Sequence, residues 1–182
     1  SILIALLLGI PLGILCAKHQ NKLLDNVTLN VKKGEILGLA GVEGNGQHDI
    51  LEAIAGVEKL TAGTIELNGK DITNHSIREI RDAGISHIPE DRMAEGTAKK
   101  LSIANNILAG SHRSSRFTGK VLFKMKAIRE EADTLIKQYQ GKCSGREQEI
   151  GMLSGGNIQK VVVAREFSVE PEVILVDQPT RG

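Results

Sequence analysis

The sequence predicts an α/β fold, and three observations lead there. Strand-like and helix-like stretches alternate along the chain. A glycine-rich turn joins a short apolar strand to a helix. The apolar content is aliphatic: three phenylalanines and one tyrosine are the only aromatics in 182 residues. A core of Ile, Leu and Val suits buried parallel strands. The length allows one domain with a substantial core and a subdomain. Basic and acidic residues nearly cancel, 23 against 22. That removes any bulk electrostatic case for nucleic acid. Cys16 and Cys143 lie far apart without metal-ligand spacing, which is compatible with a reducing cytosol.

Ile2 to Ala17 reads ILIALLLGIPLGILCA and carries no charge before Lys18. It is short for a membrane span. No basic residue precedes it, which argues against a signal peptide. Gly9, Pro11 and Gly13 argue against one unbroken helix. Three readings stay open: the end of a membrane segment, a pair of buried strands, or sequence foreign to the domain that follows. The first and third are favoured, because a soluble domain rarely opens on such a run. The domain proper then covers residues 18–182.

Asn26 to Lys33 alternates, with Val27, Leu29 and Val31 on one face, and predicts a half-buried strand. Lys33-Gly34 is a turn. Glu35 to Ala40 is mostly apolar and is placed in the centre of a sheet. Gly41-Val42-Glu43-Gly44-Asn45-Gly46-Gln47-His48 follows, leading into a helix over Asp49 to Ala55. Strand, glycine loop and helix are the context of a phosphate-binding loop, in which successive N–H groups turn inward. The glycines fit GxxGxGK[ST], but Gln47 stands at the lysine and His48 at the Ser/Thr position. A glycine turn that binds nothing remains a competing reading of this loop alone.

Ala62 to Asn68 alternates as a strand and ends on the turn signal Asn68-Gly69. Ser76 to Ala83 is a short helix with a capping box, Ser76 and Glu79. Gly84 to Ile88 is a strand. Pro89-Glu90-Asp91-Arg92 leaves it, either as a solvated turn or as a working loop at a strand carboxyl end. A short helix over Leu101 to Ala109 comes next. The basic stretch Ser111 to Lys126 carries Arg113, Arg116, Lys120, Lys124 and Lys126 and reads as a solvated arm. Lys126 to Gln140 is an amphipathic helix with Ile128, Ala132, Leu135, Ile136 and Tyr139 on one side. A polar loop then reaches Leu153-Ser154-Gly155-Gly156-Asn157-Ile158-Gln159-Lys160. A helix is predicted from Lys160 to Phe167. Small residues at a helix start leave backbone N–H groups open to phosphate oxygens. The strand Val173 to Val176 ends in Asp177. The chain has no internal repeat and no low-complexity tract.

With these parts in order, the chain resembles the nucleotide-binding domain of ABC transporters from about Asn26 to Gly182. LSGGNIQK looks like the family's signature. GVEGNGQ, IPEDR at Ile88 to Arg92, and QPTRG at Gln178 to Gly182 resemble the second, C-terminal half of tandem ATPases of sugar and nucleoside importers. The resemblance implies a P-loop NTPase core of ABC type with a helical subdomain at about 93–168. It implies a chain truncated at its C-terminus, before the family's D-loop and switch histidine. ATP and Mg2+ are the implied cofactors. Gly41, Gly44, Asn45, Gly46, Gln47 and His48 would bind nucleotide. Leu153, Ser154, Gly155, Gly156 and Asn157 would form the signature, of which Ser154, Gly155 and Gly156 would touch the γ-phosphate held by a partner. Asp177 would hold Mg2+ through water. Gln178 takes the place of the catalytic acid, and Glu90 lies near the Q-loop glutamine.

The implied partners are a second nucleotide-binding domain, expected as an N-terminal half of the same polypeptide, and transmembrane permease subunits. An extracytoplasmic substrate-binding protein enters indirectly, and nucleic acid does not. The implied place is the cytoplasmic face of the cell membrane. The departures predict a weak site on this half. An amide in place of a catalytic carboxylate costs about 10²–10⁴-fold. Loss of the lysine removes charge stabilisation from a reaction that is mostly positioning and electrostatics. A fully active ATPase with compensated substitutions, a non-transport ABC protein and a structural remnant are the alternatives.

Overall fold

Chain connectivity divides the protein into two units, Ser1–Glu90 with Pro171–Arg181, and Asp91–Glu170. The computed structural model describes residues 27–42 and 44–178 in full, and residues 2–5 and 12–17 as backbone strands. The loop residue Glu43 and residues 179–182 of the QPTRG motif lie outside the described residues.

The first unit holds β1 (Ile2–Ala5), β2 (Leu12–Ala17), β3 (Val27–Val31), β4 (Ile36–Leu39), α1 (Gln47–Ala55), β5 (Ala62–Leu67), β6 (Lys70–Asp71), α2 (Ile77–Asp82), β7 (Ile85–Ile88) and β8 (Val173–Val176). One sheet has the order β4-β1-β8-β7 and the other β3-β2-β5-β6. Of the three readings of residues 1–17, the backbone takes the strand pair at 2–5 and 12–17. β1 joins β4 to β8, with Leu3 opposite Gly38 and Val176. β2 joins β3 to β5, with Ile14 opposite Leu29 and Ile65. No described helix is long and apolar enough to cross a membrane.

The aliphatic strands are parallel only in part. β7 and β8 run parallel, Ile88 opposite Val176, and β8 is buried along its whole length. The other described pairs are antiparallel. The central placement of Glu35 to Ala40 does not hold. β4 lies at the edge of its sheet and Ile36 is 62% exposed. An apolar run of four residues carries no face of its own, so its position in a sheet is set by its neighbours. Ile50, Leu51 and Ile54 of α1 pack with Ile65, Leu67, Ile80, Ile85, Val173 and Leu175 in an all-aliphatic core.

The second unit holds α3 (Ile103–Leu108), α4 (Met125–Gln138), a 3-10 turn (Ile150–Met152) and α5 (Gly155–Ser168). Ile103, Ile107, Ile128, Ala132, Leu135, Ile150, Ile158 and Val161 form its core, with Phe117 its buried aromatic. Asn106 is buried on α3. Its amide accepts from the Ala98 amide at 2.8 Å and donates to the carbonyls of Ala98, Leu101 and Ser102. The basic stretch 111–126 is largely solvated, as expected, and is folded back on α4. Arg116 pairs with the buried Glu131 and lies 5.1 Å over the Phe117 ring, while Lys124 donates to the Ser115 carbonyl at 2.7 Å. A buried carboxylate needs a partner, and Arg116 supplies it from a side chain that stays 58% exposed.

Candidate functional site

The phosphate-loop candidate opens after β4 and closes on α1. Gly44 and Gly46 have φ of 88° and 90°, a left-handed conformation that L side chains resist. Gly46 is the N-cap of α1, and no side chain caps the helix. Gln47 folds its side-chain amide back over Gly41, where a Cβ would overlap it. The helix begins at Gln47, two residues before the predicted start, so Gln47 and His48 belong to its first turn.

His48 makes the decisive contact of this unit. Its Nδ1 lies 2.6 Å from Asp177 Oδ2, and its Nε2 lies 3.3 Å from Glu52 Oε1. A carboxylate only accepts, so Nδ1 donates to Asp177 in this contact. Asp177 is 2% exposed, and its Oδ1 is buried with no hydrogen-bond partner. Glu90 joins the pair: ligand atoms of His48, Glu90 and Asp177 all lie within 4.8 Å of one another. The sheet explains the meeting. Glu90 follows β7 and Asp177 follows β8, and the Asp177 amide donates to the Ile88 carbonyl at 3.0 Å, which extends the parallel ladder. Glu52 escaped the sequence reading, although its i,i+4 spacing from His48 was visible there. Gln178 takes a φ of 41° just beyond Asp177.

In the second unit, α5 starts at Gly155 and not at Lys160. Glycine pairs lower helix propensity, yet here both glycines occupy the first turn behind Ser154. Ser154, Gly155 and Gly156 are exposed. The Ser154 hydroxyl does not cap its own helix; it accepts from Asn157 Nδ2 at 2.9 Å, which leaves its proton to donate elsewhere. Asn157 Oδ1 in turn accepts from the Lys142 amide at 3.0 Å, and Lys160 Nζ donates to the Gln140 carbonyl at 3.0 Å. Arg92 donates to Gln159 on the same helix. A Cβ on Gly155 or Gly156 would meet nothing within 4 Å. Among the described residues, nothing requires glycine at either position.

A family model described as ABC transporter matches residues 24–181. The chain belongs to the ABC transporter family. The glucose import ATP-binding protein of Haloferax volcanii is 40% identical over 161 residues, 87% of this chain and 29% of that protein. The guanosine import ATP-binding protein of Bacillus subtilis is 39% identical over 157 residues, 86% of this chain and 31% of that protein. The chain thus spans about a third of the length of these relatives. Solved ATP-binding cassettes share the fold. A dimeric cassette in a post-hydrolysis state bound to ADP and Pi superposes with a TM-score of 0.74 at 23% identity, covering 93% of this chain and 74% of that one. A nucleotide-free cassette gives 0.69 at 22% identity, covering 100% and 71%.

Against the ABC pattern, the His48 contact tests the implied Mg2+. Magnesium demands octahedral oxygen ligands and dehydrates reluctantly. Here one of the three converging donors is an imidazole, and it already engages Asp177 Oδ2. The donor set does not suit Mg2+. Asp177 Oδ2 engages His48, which brings a nitrogen where the resemblance implies a hydroxyl oxygen.

Proposed function

We propose that this chain is ATP-binding machinery of an ABC importer for nucleosides or sugars, and that it forms the second half of a tandem ATPase. The names of its relatives support the importer class. GVEGNGQ, IPEDR and LSGGNIQK support the half. The partners would be a first-half nucleotide-binding domain and permease subunits at the cytoplasmic face of the membrane, with a substrate-binding protein acting through the permease.

One observation carries the division of labour: Gly155 and Gly156 stand open at the start of α5 with no internal contact to satisfy. Glycine in a helix weakens it, so an external approach is the physical reason for both. In this reading a nucleotide held by the partner sets its γ-phosphate against that turn. The Gly155 and Gly156 amides and the Ser154 hydroxyl donate to it, and Asn157 holds Ser154 in place. The chain's own loop contributes less. Gln47 brings hydrogen bonds but no charge, His48 occupies Asp177, and Gln178 cannot accept a proton as a carboxylate does.

Two measurements test the proposal. The chain alone should bind ATP poorly and turn it over near background; turnover on the order of 1 s⁻¹ or faster, within the ordinary enzyme range, would sink the weak-site reading. Ser154→Arg in the full tandem protein should abolish hydrolysis. If tandem activity survives that change, the role given to the signature is wrong.

A further inference from the structure

We infer that His48, Glu90 and Asp177 form a site for a borderline divalent ion of the zinc class, held by protein atoms without a nucleotide. The inference is independent of the importer reading, since it needs neither ATP nor a partner. Three features of the first unit combine. An imidazole and two carboxylates from three separate elements present ligand atoms within 4.8 Å of one another. The Asp177 carboxylate is 2% exposed, gives Oδ2 to His48 and leaves Oδ1 buried without a hydrogen-bond partner. A buried carboxylate oxygen in that state asks for a cation or a donor. Glu52 Oε1 stands 3.3 Å from His48 Nε2, on the far side of the ring from Asp177.

That last contact is the outer partner of a metal-bound histidine. Ligating imidazoles commonly give their second ring N–H to a carboxylate, which fixes the tautomer and turns the other nitrogen toward the metal. Binding would release to solvent the proton that Nδ1 shares with Asp177, leaving Nε2–H to Glu52 and Nδ1 to the ion. Nitrogen with two carboxylate oxygens matches Zn2+, and by the same softness Co2+, far better than Mg2+. Three protein ligands leave further positions open to water or an anion. The scaffold is firm, because Glu90 and Asp177 leave adjacent parallel strands paired at Ile88 and Val176.

Co2+ titration of the full chain, read by its visible d–d absorption and by calorimetry, tests the site. One equivalent should bind with the bands of a four- or five-coordinate ion. Zn2+ should displace it stoichiometrically, and Mg2+ in about hundredfold excess should not. Glu52→Gln, which keeps all three proposed ligands and alters only the outer partner of His48, should weaken binding about 10- to 100-fold. His48→Ser should remove the nitrogen-ligand bands, with circular dichroism checking that the variant folds. His75→Ala combined with His112→Ala, both exposed and elsewhere, should change nothing. Absence of bands in the parent chain, unchanged binding in Glu52→Gln and His48→Ser, equal displacement by Mg2+, or loss of binding in the His75/His112 variant would each overturn the inference.

Discussion

The Gln47 side-chain amide occupies the space that a Cβ on Gly41 would take. The loop is therefore closed by its own first helical residue, which lies half-buried across it. A lysine there would bring a full charge to the same place. Gln47→Lys with His48→Ser should raise ATP affinity by about tenfold or more, the worth of one added charge-assisted contact. Fluorescent-nucleotide titration of parent and double variant reads it. No gain would mean that the loop backbone is not shaped for phosphate.

Gly155 and Gly156 predict a trade between stability and function. Both are helical, exposed and unobstructed. Alanine at either position should stabilise the chain by up to about 0.5–1 kcal/mol in denaturant titration. In the tandem assembly the same methyl group should cut hydrolysis by about 10²-fold, through misplacement of the phosphate. Loss of stability in these variants would show that the glycines serve the fold.

Asn106 holds the segment from Ala98 to Ser102 through one accepted and three donated hydrogen bonds. Asn106→Ala should destabilise by about 1–3 kcal/mol. The denaturation midpoint should fall while the slope stays constant.

Asp91 closes the turn that follows β7. Its Oδ1 accepts from the Ala94 and Met93 amides, each at 2.9 Å, and these bonds hold its pKa below the ordinary value of 3.8. The folded state therefore favours the charged form. The stabilisation is complete above that ordinary value and is lost as pH falls through the lowered folded value. Amide exchange at Met93 and Ala94 should accelerate in acid in the parent. In Asp91→Asn it should show no such step.

Local signals were legible and distant ones were not. The Ser76–Glu79 capping box forms as read, with Glu79 Oε2 accepting from the Ser76 amide at 2.8 Å. The buried stripe of α4 at Ile128, Ala132 and Leu135 follows its period. Both depend on residues within one or two turns. The edge position of β4 was hidden because a short apolar run does not declare its neighbours. The early start of α5 was hidden because glycine propensity points the other way. The contact between His48 and Asp177 joins residues 129 apart in sequence. The sequence marks His48 as a departure and Asp177 as a match to the family pattern, but no local pattern could say that one engages the other.

Glu90 and Asp177 leave the ends of two neighbouring parallel strands. Adjacent strands keep a spacing of about 4.8 Å whatever their side chains are. Backbone pairing thus brings the two carboxylate-bearing positions to the same end of the sheet. What that end receives is chosen by a third position, residue 48, carried on a separate helix. A single exchange there can re-address the site to a different ion while the sheet beneath it stays as it is. The architecture works as a fixed gauge with one interchangeable jaw.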